Sequence, residues 1–522
     1  MPEVIAMTSG TFETALLQRV LVRGPFEREA KHLQSCLATL GLALTSDEHE
    51  NEAEGTIVLA QTTEPEISAE GYSIEIDATS ITISASTPQG AFYGVQTLRQ
   101  LLGLSPSETL APSIPCLMIR DEPRFQWRGF MLDESRHFFG KSYVKKILDW
   151  MALLKMNRFH WHLTDEPAWR LEIKRYPKLT EIGATGSWSD PRAPRAYYTQ
   201  DDVREIVTYA AERHIVIVPE IDMPGHATAA NRAYPEYSGG GSERCPDFTF
   251  NPGKEETYTY LEGILQETMD LFPGKWLHFG ADEVHFGNEQ WNNDPDVLAL
   301  MARERYCDLK QVEYYFAKRM VEFINRHGKT AIGWDEVVGS DIPIDSLTVM
   351  WWRHDLTDVL ARSYVKGFPT ILCPRLPCYF DFVQDDAHAW GRRWGKDGYG
   401  TLEELHAYPP DTHLPKQTPG LLLGVQGNLW TERVQDTARA DFMTFPRLIA
   451  LAESAWSQPG NKDTQNFKRR LPRFFAVMNN EGTFYFNPLA PDSTTEIQGV
   501  DRNTGATKLE EELQAESNRQ AP

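Results

Sequence analysis

The sequence predicts an α/β fold: a (β/α)8 barrel, or TIM barrel, preceded by a small α/β domain. After residue 125, short apolar segments alternate with helical segments, which is the pattern of a parallel sheet. Eight such segments occur, as a closed barrel requires, and most end in acidic residues. The predicted barrel strands are residues 126–133, 158–165, 215–222, 277–283, 330–334, 348–352, 370–374 and 421–430. An open doubly wound sheet is the alternative, because 337–347 is too short for a good helix and 383–420 is a long excursion.

The chain divides into three predicted parts. The boundary between the first two falls in residues 111–123, which contain three Pro and have no helical period. The last part is polar and rich in Glu, as in a frayed helix or a disordered tail. The parts are an α/β accessory domain at 1–122, a catalytic barrel at 123–489 and a polar C-terminal tail or helix at 490–522.

Short strands and one amphipathic helix are predicted in the N-terminal part. Tyr72, Ile74 and Ile76 recur at every second position, so one face of their sheet is covered and the other is wetter. The predicted elements are strands 56–60, 72–76 and 81–85 and a helix at 89–102.

Helical patterns separate the first three barrel strands. Between the first two, apolar residues stand at i, i+3, i+4, i+7 and i+10, which is one face of a helix. Before the third strand, Thr199 and Asp202 have the spacing of a capping box, which indicates a helix start. The apolar residues of the first pattern are Val144, Ile147, Leu148, Met151 and Leu154.

Charge and composition restrict the partners and the compartment. The net charge of -22 argues against nucleic acid and anionic membranes, because phosphate binding requires clustered Lys and Arg. No apolar run approaches the roughly 18 residues of a membrane span. Residues 1–20 lack a signal-peptide pattern, so we expect a cytoplasmic protein, or an extracellular or periplasmic one if a leader was removed. The six Cys lack CxxC spacing; Cys373 and Cys378 either bridge or remain free thiols.

Ionisable and aromatic residues gather at the C-terminal ends of the predicted strands. In a barrel these ends form the active site. A purely structural rim is the alternative, but it would bury many charges without a purpose. Carboxylates beside aromatic faces, without a phosphate-binding Gly loop, favour a neutral polyhydroxylated ligand and glycoside hydrolysis. The residues are Asp133, Arg136, His162, Asp165, Glu220, His226, Asp282, Glu283, Trp334, Asp335, Trp352, Arg353, Tyr379, Asp381, Trp430 and Glu432.

Asp282 and Glu283 are the strongest catalytic candidates. Two adjacent acids at the end of a buried strand repel each other and are poorly solvated, so at least one is expected to hold a proton near neutral pH. Successive strand residues point to opposite faces, so the two acids share one site only if the chain bends there. The residues alone leave open whether the second acid attacks, activates water or has another role.

Eight motifs give a more specific indication. They resemble glycoside hydrolase family 20, the β-N-acetylhexosaminidases, and they occur in the family's order over about residues 125–460. The N-terminal part is also similar in kind to the family's accessory domain. The motifs lie at 127–138, 160–165, 169–184, 219–226, 278–283, 333–336, 379–381 and 429–432.

The resemblance implies a retaining exo-enzyme that hydrolyses terminal β-linked GlcNAc or GalNAc. In this family the acetamide oxygen of the substrate attacks the anomeric carbon and forms an oxazolinium, so no enzyme nucleophile is needed. Glu283 matches the general acid/base, and Asp282 matches the acid that orients and polarises the acetamide. Asp165 and His226 resemble the pair that supports the acid/base.

Further positions of the family match residues of the sugar pocket. Arg136 and Glu432 match residues that hold the outer hydroxyls, and Tyr379 and Asp381 match the pair near the acetamide. The aromatic walls are matched by Trp334, Trp352 and Trp430. The resemblance implies a glycan or glycoconjugate partner and neither cofactor nor metal, and we expect a monomer or homodimer.

Two departures from the family pattern bear on specificity. Ala281 stands where Gly is usual, and residues 164–169 read Thr-Asp-Glu-Pro-Ala-Trp instead of the frequent Thr-Asp-Asp-Gln-Gly-Trp. Ala281 and the excursion at 383–420 can reshape the site, so release of a disaccharide, as by a lacto-N-biosidase, is an alternative. Two others are an inactive sugar-binding protein and a metal-dependent barrel hydrolase. The last would use His160, His162, Asp165 and His278.

Overall fold

The computed structural model describes residues 2–47, 54–103, 111–395 and 398–500. Most of the predicted C-terminal tail or helix, residues 501–522, lies outside the described residues. Between 490 and 500 the chain forms one 3-10 turn, Pro491–Ser493. No helix in the described ranges is both long and apolar enough to cross a membrane.

The N-terminal domain is a seven-stranded sheet with two helices, α1 (Glu27–Thr39) and α2 (Pro88–Leu102). The order across the sheet is β1-β7-β5-β6-β4-β2-β3. The predicted alternation is confirmed, because Tyr72, Ile74 and Ile76 are all buried. The strands are β1 (Val4–Glu13), β2 (Arg19–Arg23), β3 (Thr45–Asp47), β4 (Thr56–Gln61), β5 (Tyr72–Ile76), β6 (Ser80–Ala85) and β7 (Ser113–Asp121).

The Pro-containing segment 111–123 is largely a strand. β7 pairs antiparallel with both β1 and β5. Pro115 lies opposite Thr11, beside a register shift in β1, so the missing N–H falls where the ladder is already irregular. The sequence pattern predicts a domain boundary in this segment and does not reveal the strand within it.

The second part is a closed barrel of eight parallel strands, which confirms the predicted fold class. The neighbours run β8-β9-β10-β13-β14-β15-β16-β17, and β17 pairs with β8 to close the ring. Two further strands, β11 (Ser238–Gly240) and β12 (Thr249–Phe250), form a short antiparallel ribbon that is not part of the barrel. The barrel strands are β8 (Trp127–Asp133), β9 (Arg158–His162), β10 (Val216–Met223), β13 (Trp276–Gly280), β14 (Thr330–Trp334), β15 (Leu347–Trp351), β16 (Thr370–Leu372) and β17 (Leu422–Leu429).

Helices follow the strands and bury one face against them. The predicted apolar face after β8 is confirmed, because Val144, Ile147 and Met151 are fully buried. The capping box is also confirmed: the Thr199 side chain accepts from the Asp202 N–H, and the Asp202 carboxylate accepts from the Thr199 N–H. The helices are α3 (Lys141–Leu153), α4 (Lys178–Glu181), α5 (Gln200–Ala211), α6 (Thr228–Ala233), α7 (Glu255–Leu271), α8 (Pro295–Glu304), α9 (Leu309–Arg326), α10 (Thr357–Lys366), α11 (Arg375–Cys378), α12 (Leu402–Ala407), α13 (Thr437–Thr444), α14 (Arg447–Trp456) and α15 (Thr464–Glu481).

A buried polar cluster joins the N-terminal domain to the barrel. The Asp121 Oδ2 atom accepts hydrogen bonds from Tyr72 Oη (2.6 Å), Trp456 Nε1 (2.9 Å) and Lys155 Nζ (3.2 Å). Asp121 and Tyr72 belong to the sheet, whereas Lys155 and Trp456 belong to the barrel. The two parts therefore share a desolvated ion pair, which favours their observed contact.

Candidate active site

A cavity of about 260 Å³ opens at the C-terminal ends of the barrel strands. It brings together eight of the eleven site residues that the resemblance implies, from six different strand ends. Asp165, Trp334 and Asp381 lie behind the wall, whereas the other eight line it. The eight are Arg136, His226, Asp282, Glu283, Trp352, Tyr379, Trp430 and Glu432.

The end of β13 bends so that both acids face this cavity. The strand stops at Gly280, and positive φ angles follow at Gly280 (74°), Ala281 (77°) and Glu283 (51°). A side chain at position 280 requires Asp222 or the turn to shift, because its Cβ would lie 1.7 Å from Asp222 Oδ1. These turns break the alternation of the strand, so adjacent carboxylates reach one site.

Burial dominates the electrostatics of the acid pair. It raises the pKa of Glu283 above its ordinary value and that of Asp282 well above it, although His226 opposes both shifts. The Nε2 atom of His226 lies 3.6 Å from Asp282 Oδ2 and 3.8 Å from Glu283 Oε2. Burial therefore favours the protonated form of both acids, which is the direction that the sequence predicts for at least one of them.

Acids on the other side of His226 favour its protonated form. Its Nδ1 atom lies 3.1 Å from Asp165 Oδ1 and 3.0 Å from Glu166 Oε1. Burial lowers the pKa of His226, but Glu166, Asp165 and Asp282 raise it well above the usual value. These acids favour the imidazolium form of His226, which lies between two pairs of acids and can stabilise Glu283 after proton loss.

A fully buried layer of residues holds this arrangement from below. Strand register sets His162 beside Glu220 and Glu220 beside His278. Glu220 accepts a hydrogen bond from His162 Nδ1 (2.5 Å), and its carboxylate oxygens lie 2.9 Å from His278 Nδ1 and 2.9 Å from His160 Nε2. The Nε2 atom of His162 donates in turn to Asp165 Oδ2 at 2.7 Å. His162 therefore bridges two carboxylates, which raise its pKa well above normal against the effect of burial.

The same layer contains the ligand types of the metal-dependent alternative. Among the described residues, His160, Glu220 and His278 are one of four buried or half-buried groups whose ligand-type atoms lie within 4.8 Å of one another. The Glu220 carboxylate already accepts hydrogen bonds from His162 Nδ1 (2.5 Å) and Trp334 Nε1 (2.9 Å), and His278 Nδ1 accepts one from the Gly280 N–H (3.1 Å). Glu220 is thus engaged in hydrogen bonds within the protein beneath the cavity, which fits a supporting role.

Charged groups of both signs form one end of the cavity. Arg136 Nη1 lies 2.5 Å from Asp165 Oδ2, and Arg136 Cζ stands 5.1 Å from the centre of the Trp430 ring. Arg392 donates from Nη2 to Glu432 at 3.0 Å and pairs through Nε with Asp381 at 2.9 Å. Burial raises the pKa of Asp381 to about 7, although Arg392 lowers it.

Aromatic rings form the other walls. Trp352 and Tyr379 are nearly parallel, with an interplanar angle of 8° and centroids 6.3 Å apart. Trp430 lies 6.0 Å from Tyr379. Trp334, which the resemblance placed on the wall, lies one layer deeper because its N–H is bound to Glu220. Flat apolar faces of this kind suit the apolar face of a pyranose.

Several lining residues were missed by the sequence reasoning. Arg392 comes from the 383–420 excursion and pairs with Asp381 and Glu432. Two acids predicted in one buried site indicate that a cation should lie between them, and this was the signal for Arg392. Glu166 adjoins a predicted residue and was noted only as a departure from the family pattern. The others carry no distinctive pattern: Trp188, Thr228, Arg244, Cys245, Pro246, Phe248, Phe286 and Arg375.

The six cysteines form no bridge. Cys373 and Cys378, whose pairing the sequence left open, are both buried free thiols. Burial raises the pKa of each well above the ordinary value. Cys245 lies at the cavity wall as a free thiol.

A closed β/α barrel with an acid pair and aromatic walls in one cavity is typical of glycoside hydrolases. The chain belongs to glycosyl hydrolase family 20. The model of that family's catalytic domain matches residues 125–459, and the model of its domain 2 matches residues 1–122.

Individual relatives agree with this assignment. A β-hexosaminidase of Porphyromonas gingivalis is 36% identical over 468 residues, covering 87% of this chain and 59% of the relative, so the chain spans little more than half of that protein. A β-hexosaminidase of Vibrio furnissii is 36% identical over 421 residues, covering 77% of this chain and 67% of the relative. The exo β-N-acetylglucosaminidase of Vibrio harveyi, solved with N-acetylglucosamine, superimposes with a TM-score of 0.84 at 29% identity and covers 94% of this chain and 78% of its own.

Proposed function

We propose that this protein is a retaining exo-β-N-acetylhexosaminidase that hydrolyses terminal β-linked GlcNAc or GalNAc by substrate assistance. The observation that carries the proposal is the bend after β13, which turns Asp282 and Glu283 into one aromatic-walled cavity. The activities named for the relatives from Porphyromonas, Vibrio furnissii and Vibrio harveyi support the substrate class.

In the first step, Glu283 donates its proton to the glycosidic oxygen. The acetamide oxygen forms a bond to the anomeric carbon while the bond to the leaving group breaks, which gives a cationic oxazolinium ring. Asp282, as the carboxylate, accepts a hydrogen bond from the acetamide N–H, and its negative charge stabilises the ring. Burial raises the pKa of Asp282 well above its ordinary value, whereas His226 and the developing cationic ring favour its ionised form in this step. The burial that raises the pKa of Glu283 favours the protonated form that the donor needs.

In the second step, the Glu283 carboxylate takes a proton from water, which attacks the anomeric carbon and opens the ring. Two displacements at one carbon restore the original configuration. The imidazolium of His226, 3.8 Å from Glu283, stabilises the carboxylate between the two steps. Asp282 therefore acts on the acetamide and Glu283 on the glycosidic oxygen of the same sugar, so two acids that are adjacent in the sequence can have these two roles.

The remaining predicted residues have binding and supporting roles in this proposal. Arg136 and Glu432 hold the outer hydroxyls, and Trp352, Tyr379 and Trp430 enclose the ring. Asp165 orients His226 from behind the wall. Asp381 acts through Arg392, and Trp334 through Glu220.

Release rates from three aryl β-glycosides test the proposal. The enzyme is expected to cleave N-acetylglucosaminides and N-acetylgalactosaminides and to leave the lacto-N-biose glycoside intact. Release of the disaccharide alone would replace the proposal by the lacto-N-biosidase activity. Absence of turnover on all three would leave an inactive sugar-binding protein.

A further inference from the structure

Glu166 lies on the cavity wall but has no part in the steps above. It follows Asp165 in the loop after β9, and its backbone N–H donates to Asp165 Oδ1 at 2.8 Å. Its carboxyl group lies in the wall of the same cavity as Asp282 and Glu283. The family often has Asp here, so this chain places a carboxylate with one more methylene at the wall.

Glu166 is the most exposed of four acids around one guanidinium. Arg136 pairs with Asp133, Asp165, Glu432 and Glu166, whose side chains are 0%, 1%, 5% and 27% exposed. Glu432 and Glu166 both line the cavity, whereas Asp133 and Asp165 do not. A ligand in the cavity can therefore reach Glu166 as well as Glu432.

The contacts on the ligand side of Arg136 are long. Its Nη1 atom is held by Asp165 at 2.5 Å, but Nη2 lies 3.5 Å from Glu166 Oε2 and 3.7 Å from Glu432 Oε1. One hydroxyl group can accept from Nη2 and donate to Glu166 Oε2, which would shorten the contacts of both groups. A sugar hydroxyl has this donor and acceptor pair on one atom.

The second oxygen of Glu166 connects this position to the acid/base. Glu166 Oε1 lies 3.0 Å from His226 Nδ1, and Asp165 Oδ1 lies 3.1 Å from the same nitrogen. One N–H hydrogen serves both acceptors, so His226 stays oriented by Asp165 when Glu166 turns toward a ligand.

We infer that Glu166 is a further sugar-binding residue, which accepts a hydrogen bond from the ring hydroxyl that Arg136 holds. The inference rests on the proposed function. It makes Glu166 a determinant of which hydroxyl pattern the cavity accepts, at a position where this chain departs from the common family motif.

Deoxy substrates test the contact directly. Kinetic constants are measured for 4-nitrophenyl N-acetyl-β-glucosaminide and its 3-deoxy and 4-deoxy analogues, with the wild type and with Glu166→Gln and Glu166→Asp. Glu166→Gln is expected to lower kcat/KM on the parent substrate about tenfold, mainly through KM, because a charged hydrogen bond present in both the ground and transition states is weakened. The deoxy penalty is the factor by which removal of a hydroxyl from the substrate lowers kcat/KM. For one of the two analogues, this penalty should be about tenfold smaller in Glu166→Gln than in the wild type.

The outcomes are distinguishable. Equal deoxy penalties in the wild type and in both variants would overturn the inference and leave Glu166 as a partner of His226 alone. Failure of the wild type to cleave the parent substrate would instead contradict the proposed function. Glu243→Gln makes the same chemical change at an exposed neighbouring loop position and should alter neither penalty. If Glu166→Gln does not fold, Glu166→Asp carries the same comparison.

Discussion

At the scale of single residues, the proposed mechanism gives different roles to two carboxyl groups that are adjacent in the sequence. Asp282 is buried and Glu283 is half-buried, and His226 lies within 4 Å of each. Their assigned roles differ because one has to give up a proton to the leaving group while the other has to face a developing positive charge.

Glu283→Gln tests the role of proton donor. The amide has the same shape but no acidic proton, so kcat on unactivated glycosides should fall by about 10²–10⁴-fold, with little change in substrate binding. Steady-state kinetics on chitobiose and on an aryl glycoside measure this. The loss should be smaller with the aryl leaving group, which needs less protonation. Unchanged turnover of chitobiose would refute the assignment.

The pH profile provides a second residue-level prediction. Burial raises the pKa of Glu283, so the acid remains protonated to a higher pH than an exposed Glu and loses its proton as pH rises through that value. The kcat/KM profile should therefore fall on its alkaline side. Glu283→Gln should abolish this fall in the residual activity. An alkaline limb that persists in the variant would assign it to another group.

At the scale of elements, the end of β13 determines the site. Patterning of apolar residues located all eight barrel strands, because buried parallel strands are short, apolar and regularly spaced. It extended β13 to Glu283 and β9 to Asp165, because it does not reveal backbone angles. The structure ends them at Gly280 and His162, and the polar residues beyond lie in turns.

The N-terminal sheet was harder to predict from sequence. β1 is an exposed edge strand, so its residues show no inward and outward alternation. β7 contains Pro115, which argues against a strand unless its irregular partner is known. Among site residues, Arg392 was missed because its contacts with Asp381 and Glu432 depend on the folding of a long excursion.

Gly280→Ala tests the importance of the bend. The added Cβ would lie 1.7 Å from Asp222 Oδ1 at a φ of 74°, so the turn has to shift. We expect a loss of at least about 2 kcal/mol in stability and a marked fall in kcat/KM. Thermal unfolding and kinetics measure both. The matched change Ala281→Gly removes a Cβ at a φ of 77° and should preserve folding and activity. Wild-type behaviour of Gly280→Ala would show that the bend tolerates a side chain.

At the scale of the whole molecule, a buried ion pair connects the sheet to the barrel. Asp121 holds Lys155 and Trp456 across the interface, far along the chain from the acid pair. Replacement of one partner leaves an uncompensated charge in a desolvated position, which is costly.

Asp121→Ala should therefore destabilise the protein without altering its chemistry. We expect a loss of about 3–5 kcal/mol, seen as a thermal midpoint lower by several degrees, with kcat/KM unchanged well below the transition. Glu64→Ala is the control, because Glu64 is 59% exposed and pairs with Arg120 at 3.3 Å on the surface, where a pair contributes about 0–1 kcal/mol. Equal effects of the two substitutions would contradict a special role of the interface.

The most direct test of substrate assistance is inhibition by the thiazoline analogue of the cyclic oxazolinium. The stable ring imitates the intermediate that Asp282 is proposed to stabilise, so it should inhibit competitively and bind at least about 10²-fold more tightly than N-acetylglucosamine. Asp282→Asn should weaken this inhibition. An enzyme that cleaves N-acetylglucosaminides but is not inhibited by the thiazoline would contradict the mechanism and indicate a nucleophile supplied by the protein.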